Sequence, residues 1–496
     1  MNNVIRNKKG IVLITVIIFM VILFMLSGAI TTLVFPEFFF LKKHSAEIAA
    51  FHLADAGIKE AMYRMEQNKD FSNFTGTLAP AWPPNSPAYG TYSVTIAPDP
   101  GNNNDIVQIY YITSVARLNN RPGTNHTVYA IVDTSTSFAK YLYFSDQEIM
   151  AGSGTHNVFN MGDQLNGPVF SNDQFYINWT NYQGNPPIFQ TKLDSARTSI
   201  NYIPDAPQNE SGYKKIFKNG SQGFELGVGK ITFPPPNNAQ ITAALGGMQT
   251  PTSQGVYLPN NGSSVSGGIY VMGDLENLNF KVDGNGNQTI EFYQEEEHGH
   301  ATRKTTVTLN PASNTTTIQY NWKGQTATYQ GIINGVIFTN GDVGVASVGG
   351  TIGSRLTLVT PPNNEVEIKG HIRYKDDPRT NPNATNVLGI VSGNIIIDDN
   401  APANLEVDAV MLAGNPSGNG SFYYGNWDRR GPKGNLTIFG GLATQQSGPV
   451  GTYNPDGSVI TGYKKIYNYD TRLSLFPPPY YPTTGKLRIR FWKDLK

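Results

Sequence analysis

MNNVIRNKKG (1–10) runs directly into IVLITVIIFMVILFML (11–26), and this junction decides how the first part of the chain folds. Arg6, Lys8 and Lys9 form a basic stub that ends in Gly10, and hydrophobicity begins abruptly at Ile11. The run from Ile11 to Val34 carries no charge, and a bilayer crossing takes roughly 20 apolar residues. A secretory signal has a short apolar core with a small-x-small cut after it. Here a glycine stands before the core instead, and the core passes into a helical pattern. Arg6, Lys8 and Lys9 favour a cytoplasmic start and an exported carboxy-terminal bulk, an asymmetry that Lys42 and Lys43 weaken without reversing. Two other readings stay open. One is a plain single-pass anchor. The other is a conventional cut at Ser27-Gly28-Ala29, against which Ile30–Phe40 stays apolar apart from Glu37.

The helical pattern continues through SAEIAAFHLADAGIKEAMYRM (45–65), where Phe51, Ala54, Ile58, Ala61 and Met65 recur at three- and four-residue steps. Asp55 with Lys59, and Glu60 with Arg64, are acid-first pairs four apart, the orientation that suits the helix dipole. Gly57 interrupts this alanine-rich stretch at a cost of roughly 1 kcal/mol. Pro36 is expected to bend or break the helix, because it lacks a donor and its ring strikes the preceding turn. A continuous helix from Ile11 to Met65 would be about 80 Å long.

Gly10, the apolar run and AAFHLADAGIKEAM (49–62) together resemble the amino-terminal part of PilX-type pilus assembly proteins, a minor-pilin family. The family's acidic-Ala-Gly motif is matched by Ala54, Asp55, Ala56 and Gly57, and the resemblance covers about the first sixty-five residues. It implies cutting by a prepilin peptidase between Gly10 and Ile11, with methylation of the new amine as a candidate modification. Its implied partners are other pilins, the pilus assembly machinery, the peptidase and the cytoplasmic membrane.

Two departures from the pilin pattern matter. Most major pilins begin the mature chain with Phe, where this one would begin with Ile11. Most also carry Glu at the fifth mature position, where this chain has Thr15. That glutamate offsets a neighbour's buried amine, and an unpaired charge in an apolar core is expensive. A subunit lacking it suits the filament tip or the start of assembly.

At 496 residues the chain is long enough for more than one domain. Lys+Arg and Asp+Glu both number 37, so no basic surface argues for nucleic acid, and the absence of cysteine excludes disulfides and thiol chemistry. Glycine (51) and proline (32) point to a loop-rich β body. The expected layout is a leader (1–10), a long helix (11–70), a pilin-like antiparallel sheet (71–134) and a β-rich domain (135–496). Residues 71–89 read as a proline-rich linker, followed by strand-like runs at Gly90–Ile96, 106–116 and Thr127–Val132. FAKYLYFSD (138–146), NGPVFSND (166–173), GYKKIYNYD (462–470) and RLSLFPPPYYP (472–482) resemble the opening and closing segments of an uncharacterised β-rich domain often found behind PilX-type starts. That domain usually has His where Phe170 stands. Apolar runs around Gly273, Gly341, Gly370, Gly393 and Gly440 are separated by near multiples of roughly 23 residues, which suggests a parallel β-helix or related β-solenoid over a stacked sandwich.

The chemistry is sparse. EEEHGH (295–300) offers His298 and His300 on one side of a strand, but no ligand set of known spacing completes a metal site, so a charged turn is the simpler reading. VDGNGNQTI (282–290) departs from a calcium loop at Gln288 and Gln294, and reads as a hairpin turn. Asp376-Asp377 and Asp398-Asp399 are the carboxylate pairs that a polysaccharide-cleaving enzyme would need, yet Pro378 and Asn400 beside them suit turns. Trp179 and Trp427 lie in aromatic, Asn-rich runs that suit sugar stacking as well as core packing. The sequence therefore suggests a pilin-like minor subunit, not an enzyme, with neither cofactor nor metal. A membrane-anchored surface protein that binds or processes polysaccharide is the alternative, with a surface glycan as the candidate ligand.

Overall fold

The computed structural model describes residues 8–68, 72–78, 89–99, 109–119, 123–134, 136–150, 154–160, 162–179, 186–234, 238–296, 299–454 and 458–495. The chain divides into two units: one runs from the amino terminus to Asp133 and resumes at Leu487, and the other is built from Thr134 to Lys486. The expected boundary near residue 134 therefore stands at one end only. The last ten residues, expected in the β-rich domain, belong to the first unit.

In the first unit, helix α1 (Lys8–Asn68) is unbroken for 61 residues, about 90 Å at 1.5 Å per residue. It passes through Pro36, contrary to the expected break. A proline costs a helix about 3 kcal/mol, and the Thr, Val and Phe residues around Pro36 add no propensity to offset it, so the helix carries that cost over its 61 residues. Every residue from Val12 to Ser45 is exposed, and from Ala46 onward one face is buried. That face packs on an antiparallel sheet of β1 (Phe74–Leu78), β2 (Gly90–Pro98), β3 (Ile109–Leu118), β4 (Asn125–Asp133) and a fifth, carboxy-terminal strand, Arg488–Asp494, paired with β4. Strand β1 falls within the stretch read as a linker. Its alternating Phe74-Thr75-Gly76-Thr77 pairs with β2, an edge position that asks for little hydrophobicity.

The second unit is β-rich, with 25 of its described strands joined in one mostly parallel sheet system. Three parallel registers recur along it. In the first, Ile269, Ile337, Leu358, Ile390, Met411, Leu442, Tyr143, Val169 and Leu193 are successive partners. In the second, Leu275, Val343, Val366, Ile395, Phe422 and Ser447 stand in line. In the third, Phe280, Gly350, Ile372, Val407, Ile438, Tyr467, Leu165 and Phe189 do so. The aliphatic and aromatic members face one continuous core, where each buried Ile, Leu or Val contributes about 1.5–3 kcal/mol. The first register is also apolar on its other face: Tyr270, Phe338, Val359, Val391, Leu412, Phe144 and Phe170 are buried there. Phe170 stacks on Phe144 with centroids 5.5 Å apart.

The order of partners is the main topological finding. Strand Pro432–Ser447 pairs in parallel with Tyr143–Met150, so the start of this unit stacks on its end. The entry and exit segments also meet: Thr484 N–H donates to the Thr136 carbonyl (2.7 Å) and Phe138 N–H to that of Pro482 (3.1 Å). Adjacent ends let a long insert leave β4 and return as its hairpin partner.

The glycine pattern is corrected in part. Gly273, Gly341 and Gly393 each follow a strand of the first register, and Gly341 packs against the Gly273–Asp274 backbone. Gly370 follows a strand of the second register and Gly440 lies inside Pro432–Ser447, so both are out of phase with the other three. Partners in the first register lie 21 to 32 residues apart, except where the antiparallel strands between Leu275 and Gln330 intervene and where Leu442 meets Tyr143.

Candidate functional site: the amino-terminal helix and its seat

Gly10 and Ile11 lie in the first turn of α1, which begins at Lys8. Arg6 lies outside the described residues. Thr15 is exposed on the apolar half, as are its neighbours. Further along, the Thr31 hydroxyl donates to the Ser27 carbonyl (2.6 Å) and that of Thr32 to Ala29 (2.9 Å). Back-bonding of this kind satisfies a hydroxyl in apolar surroundings without leaving the helix. The helix is long and apolar enough to cross a membrane.

The Ala54-Asp55-Ala56-Gly57 motif explains itself in the seat. Ala50, Ala54 and Ala61 are fully buried, with Leu53, Ile58 and Met65 nearly so, against Tyr92, Val94, Ile112, Ala116, Val128 and Val132. Small residues on this stripe bring the helix backbone close to the sheet. At Gly57 a Cβ would stand 2.2 Å from Ser114 Oγ and 2.9 Å from Tyr92 Cδ2. The helix-propensity penalty of the glycine is thus exchanged for closeness. Asp55 points outward and pairs with Lys59 at 2.8 Å, as the spacing predicted. Ala56 is half-buried. Glu60 accepts from Arg64 Nε (2.9 Å) and from the Tyr92 hydroxyl, and the Arg64 guanidinium lies 4.0 Å over Phe74. Phe51, expected in the buried stripe, is only half-buried, and packs edge-on to His126 and Trp492.

Two ties in this unit escape any reading of local sequence, because their partners lie more than 350 residues apart. His126 Nε2 stands 2.6 Å from Asp494. Asp133, fully buried at the end of β4, is held by Arg488 (3.4 Å) and Arg490 of the carboxy-terminal strand. A buried carboxylate requires such partners.

The remaining candidates lie in the second unit. In EEEHGH, Glu297 and His298 lie outside the described residues, and Glu296 and Gly299 pair in the hairpin that joins two long strands. Among the described residues no cluster of three or more His, Asp or Glu is placed to hold a metal. Asp283 accepts from Asn285 N–H (2.8 Å) and Asn287 N–H (2.9 Å), closing a hairpin between Leu275–Val282 and Gln288–Glu296. Asp377 holds Arg379 (2.7 Å), which keeps its carboxyl below the usual range. Asp398 accepts from Asn400 N–H (2.7 Å), and Asp399 from the Asn426 side chain. Asp377 and Asp398 are therefore turn residues with local partners, whereas Asp399 is held by the distant Asn426 and lies 3.7 Å from Arg430. Trp179 and Trp427 are half-buried and pack against the main core, and Trp179 donates to the Asp205 carbonyl (2.7 Å).

Sequence reading also missed a buried carboxylate. Glu148 accepts from Ser447 (2.8 Å), Asn157 (3.0 Å), Tyr143 (3.1 Å) and Ser145. Burial raises its pKa while these donors oppose the rise. It ties Tyr143–Met150 to the strand beside it, where the start of the unit meets its end. No protein-family model, curated protein or solved structure matches this chain.

Proposed function

We propose that this chain is a pilin-like minor subunit of a type IV pilus or related filament, acting in assembly or at the tip and displaying the β-rich unit. The observation that carries the reading is one continuous helix with two kinds of surface. Its first half is apolar and exposed, and the second is clamped on an antiparallel sheet through Ala50, Ala54, Gly57 and Ala61. An apolar surface of that extent demands a cover, either a bilayer or the equivalent helices of neighbouring subunits. A subunit drawn from membrane to filament meets both in turn. We read the β-rich unit as a β-solenoid, supported by three parallel registers that share partners turn after turn. On this reading shape and packing carry the function, and no active site is required.

The test is intact mass and amino-terminal sequence of the protein from its own membrane, with and without prepilin peptidase. A mature start at Ile11 that disappears without the peptidase is expected. An uncut start in both strains would sink the filament reading and leave a membrane-anchored surface protein.

A further inference from the structure

Within the β-rich unit lies a cleft of ≈ 690 Å³, in the size range of small-molecule sites. Phe439, Val387 and Leu473 are buried in its lining, which holds three guanidiniums (Arg355, Arg379 and Arg472) and one carboxylate, Asp470. Two of these arginines are committed. Arg472 grips Asp470 (2.6 Å) and donates to the carbonyls of Ala384 (2.5 Å) and Asn386 (3.2 Å). Arg379 pairs with Asp377 and lies 4.7 Å over Phe439. Arg355 differs: its Nη2 donates to the Pro477 carbonyl (2.8 Å), and among the described residues no carboxylate pairs with it. Desolvation and the nearby Arg472 charge hold its pKa below the usual guanidinium value. An anion placed there would offset the Arg472 repulsion and stand in for part of the lost hydration.

The rest of the lining limits what that anion belongs to. Leu475 and Phe476 are 70% and 62% exposed, an apolar ledge beside the cation. Strand Arg355–Val359 is paired on both edges, with Val336–Thr339 and Val387–Ser392. It therefore offers no free edge on which an extended peptide would add as a strand. A pyranose carboxylate asks for little else: a guanidinium fork for the charge and an aromatic surface for the C–H face of the ring.

We propose that this cleft binds a carboxylate-bearing sugar of an acidic polysaccharide, with the carboxylate on Arg355 and the ring against Phe476. The inference is independent of the filament reading, because it concerns one unit and one ligand. The test is calorimetric titration of the full-length protein in detergent with galacturonate, glucuronate and mannuronate trisaccharides. Their methyl esters, a neutral trisaccharide and an oligoglutamate peptide serve as controls. At least one uronate trisaccharide is expected to bind. Methyl esterification and Arg355→Gln should each weaken it by about tenfold or more, the scale of a lost charge-assisted hydrogen bond. Phe476→Ala, a substitution at an exposed site, should weaken it as well. Binding by none of the uronates, unchanged affinity in Arg355→Gln, or preference for the peptide would each overturn the proposal.

Discussion

Gly57→Ala tests whether closeness, and not flexibility, is what the glycine in the helix motif provides. In an open helix this change stabilises by roughly 1 kcal/mol. Here the added Cβ would meet Ser114 Oγ at 2.2 Å, Tyr92 Cδ2 at 2.9 Å and Ser114 Cβ at 3.2 Å. The Tyr92 ring has little freedom to yield, because its hydroxyl is tied to Glu60 and the ring packs on Phe74. Overpacking of this kind costs about 1–3 kcal/mol, which cancels or exceeds the propensity gain. The net expectation is a loss of up to about 2 kcal/mol, and a greater loss for the β-branched Gly57→Val. Ser114→Ala removes the nearest atom, and Ser114 Oγ is buried with no hydrogen-bond partner among the described residues, so the change costs little alone. Combined with Gly57→Ala it should restore part of the loss, giving a coupling of about 1 kcal/mol. The assay is hydrogen exchange of peptides spanning residues 46–66 in the full-length protein, which reads local opening of this helix face. Increased protection in Gly57→Ala alone, or no rescue by Ser114→Ala, would refute the reasoning.

Two further outcomes are expected. Because Asp133 and Arg488 are paired neighbours in adjacent antiparallel strands, replacing residues 134–487 with an Asn-Gly turn should leave α1 and its five-stranded sheet folded; loss of cooperative unfolding in the shortened chain would show that the sheet depends on the insert. Asp408, buried beside Arg379, Asp377 and Glu406, is pushed up to about 6 by desolvation. Below pH ~4 it is neutral in both folded and unfolded chains. As pH rises from ~4 to ~6 the unfolded chain ionises first, and the β-rich unit loses up to about 3 kcal/mol. Asp408→Asn should flatten that slope in denaturant titrations, and an unchanged slope would remove Asp408 as its cause.

Local chemistry made some elements legible in advance. The apolar run after Gly10, the Asp55–Lys59 and Glu60–Arg64 pairs, and the alternation that puts Tyr92, Val94 and Ile96 on one face of β2 all depend on neighbours within four residues. Strands β2, β3 and β4 appear where β-formers alternate between turns, and the division near residue 134 follows from the end of that pattern. The apolar runs before Gly273, Gly341 and Gly393 suggested parallel strands, and these strands lie in the mostly parallel sheet. Gly370 and Gly440 misled because glycine marks a tight approach anywhere in such a stack, with no label for the register it serves.

Sequence by itself therefore determined the long apolar helix, the antiparallel strands beside it and the β-rich character of the remainder, since each is an interaction between near neighbours. Tertiary structure alone decided that Arg488–Asp494 closes the first sheet, that Tyr143 stacks beside Leu442, and that Arg355, Phe439 and Phe476 line one cleft. These join residues from 37 positions apart (Phe439 and Phe476) to more than 350 (Asp133 and Arg488). Their energy lies in burial and charge pairing that exist only once the chain has brought distant segments together, so no local pattern records them.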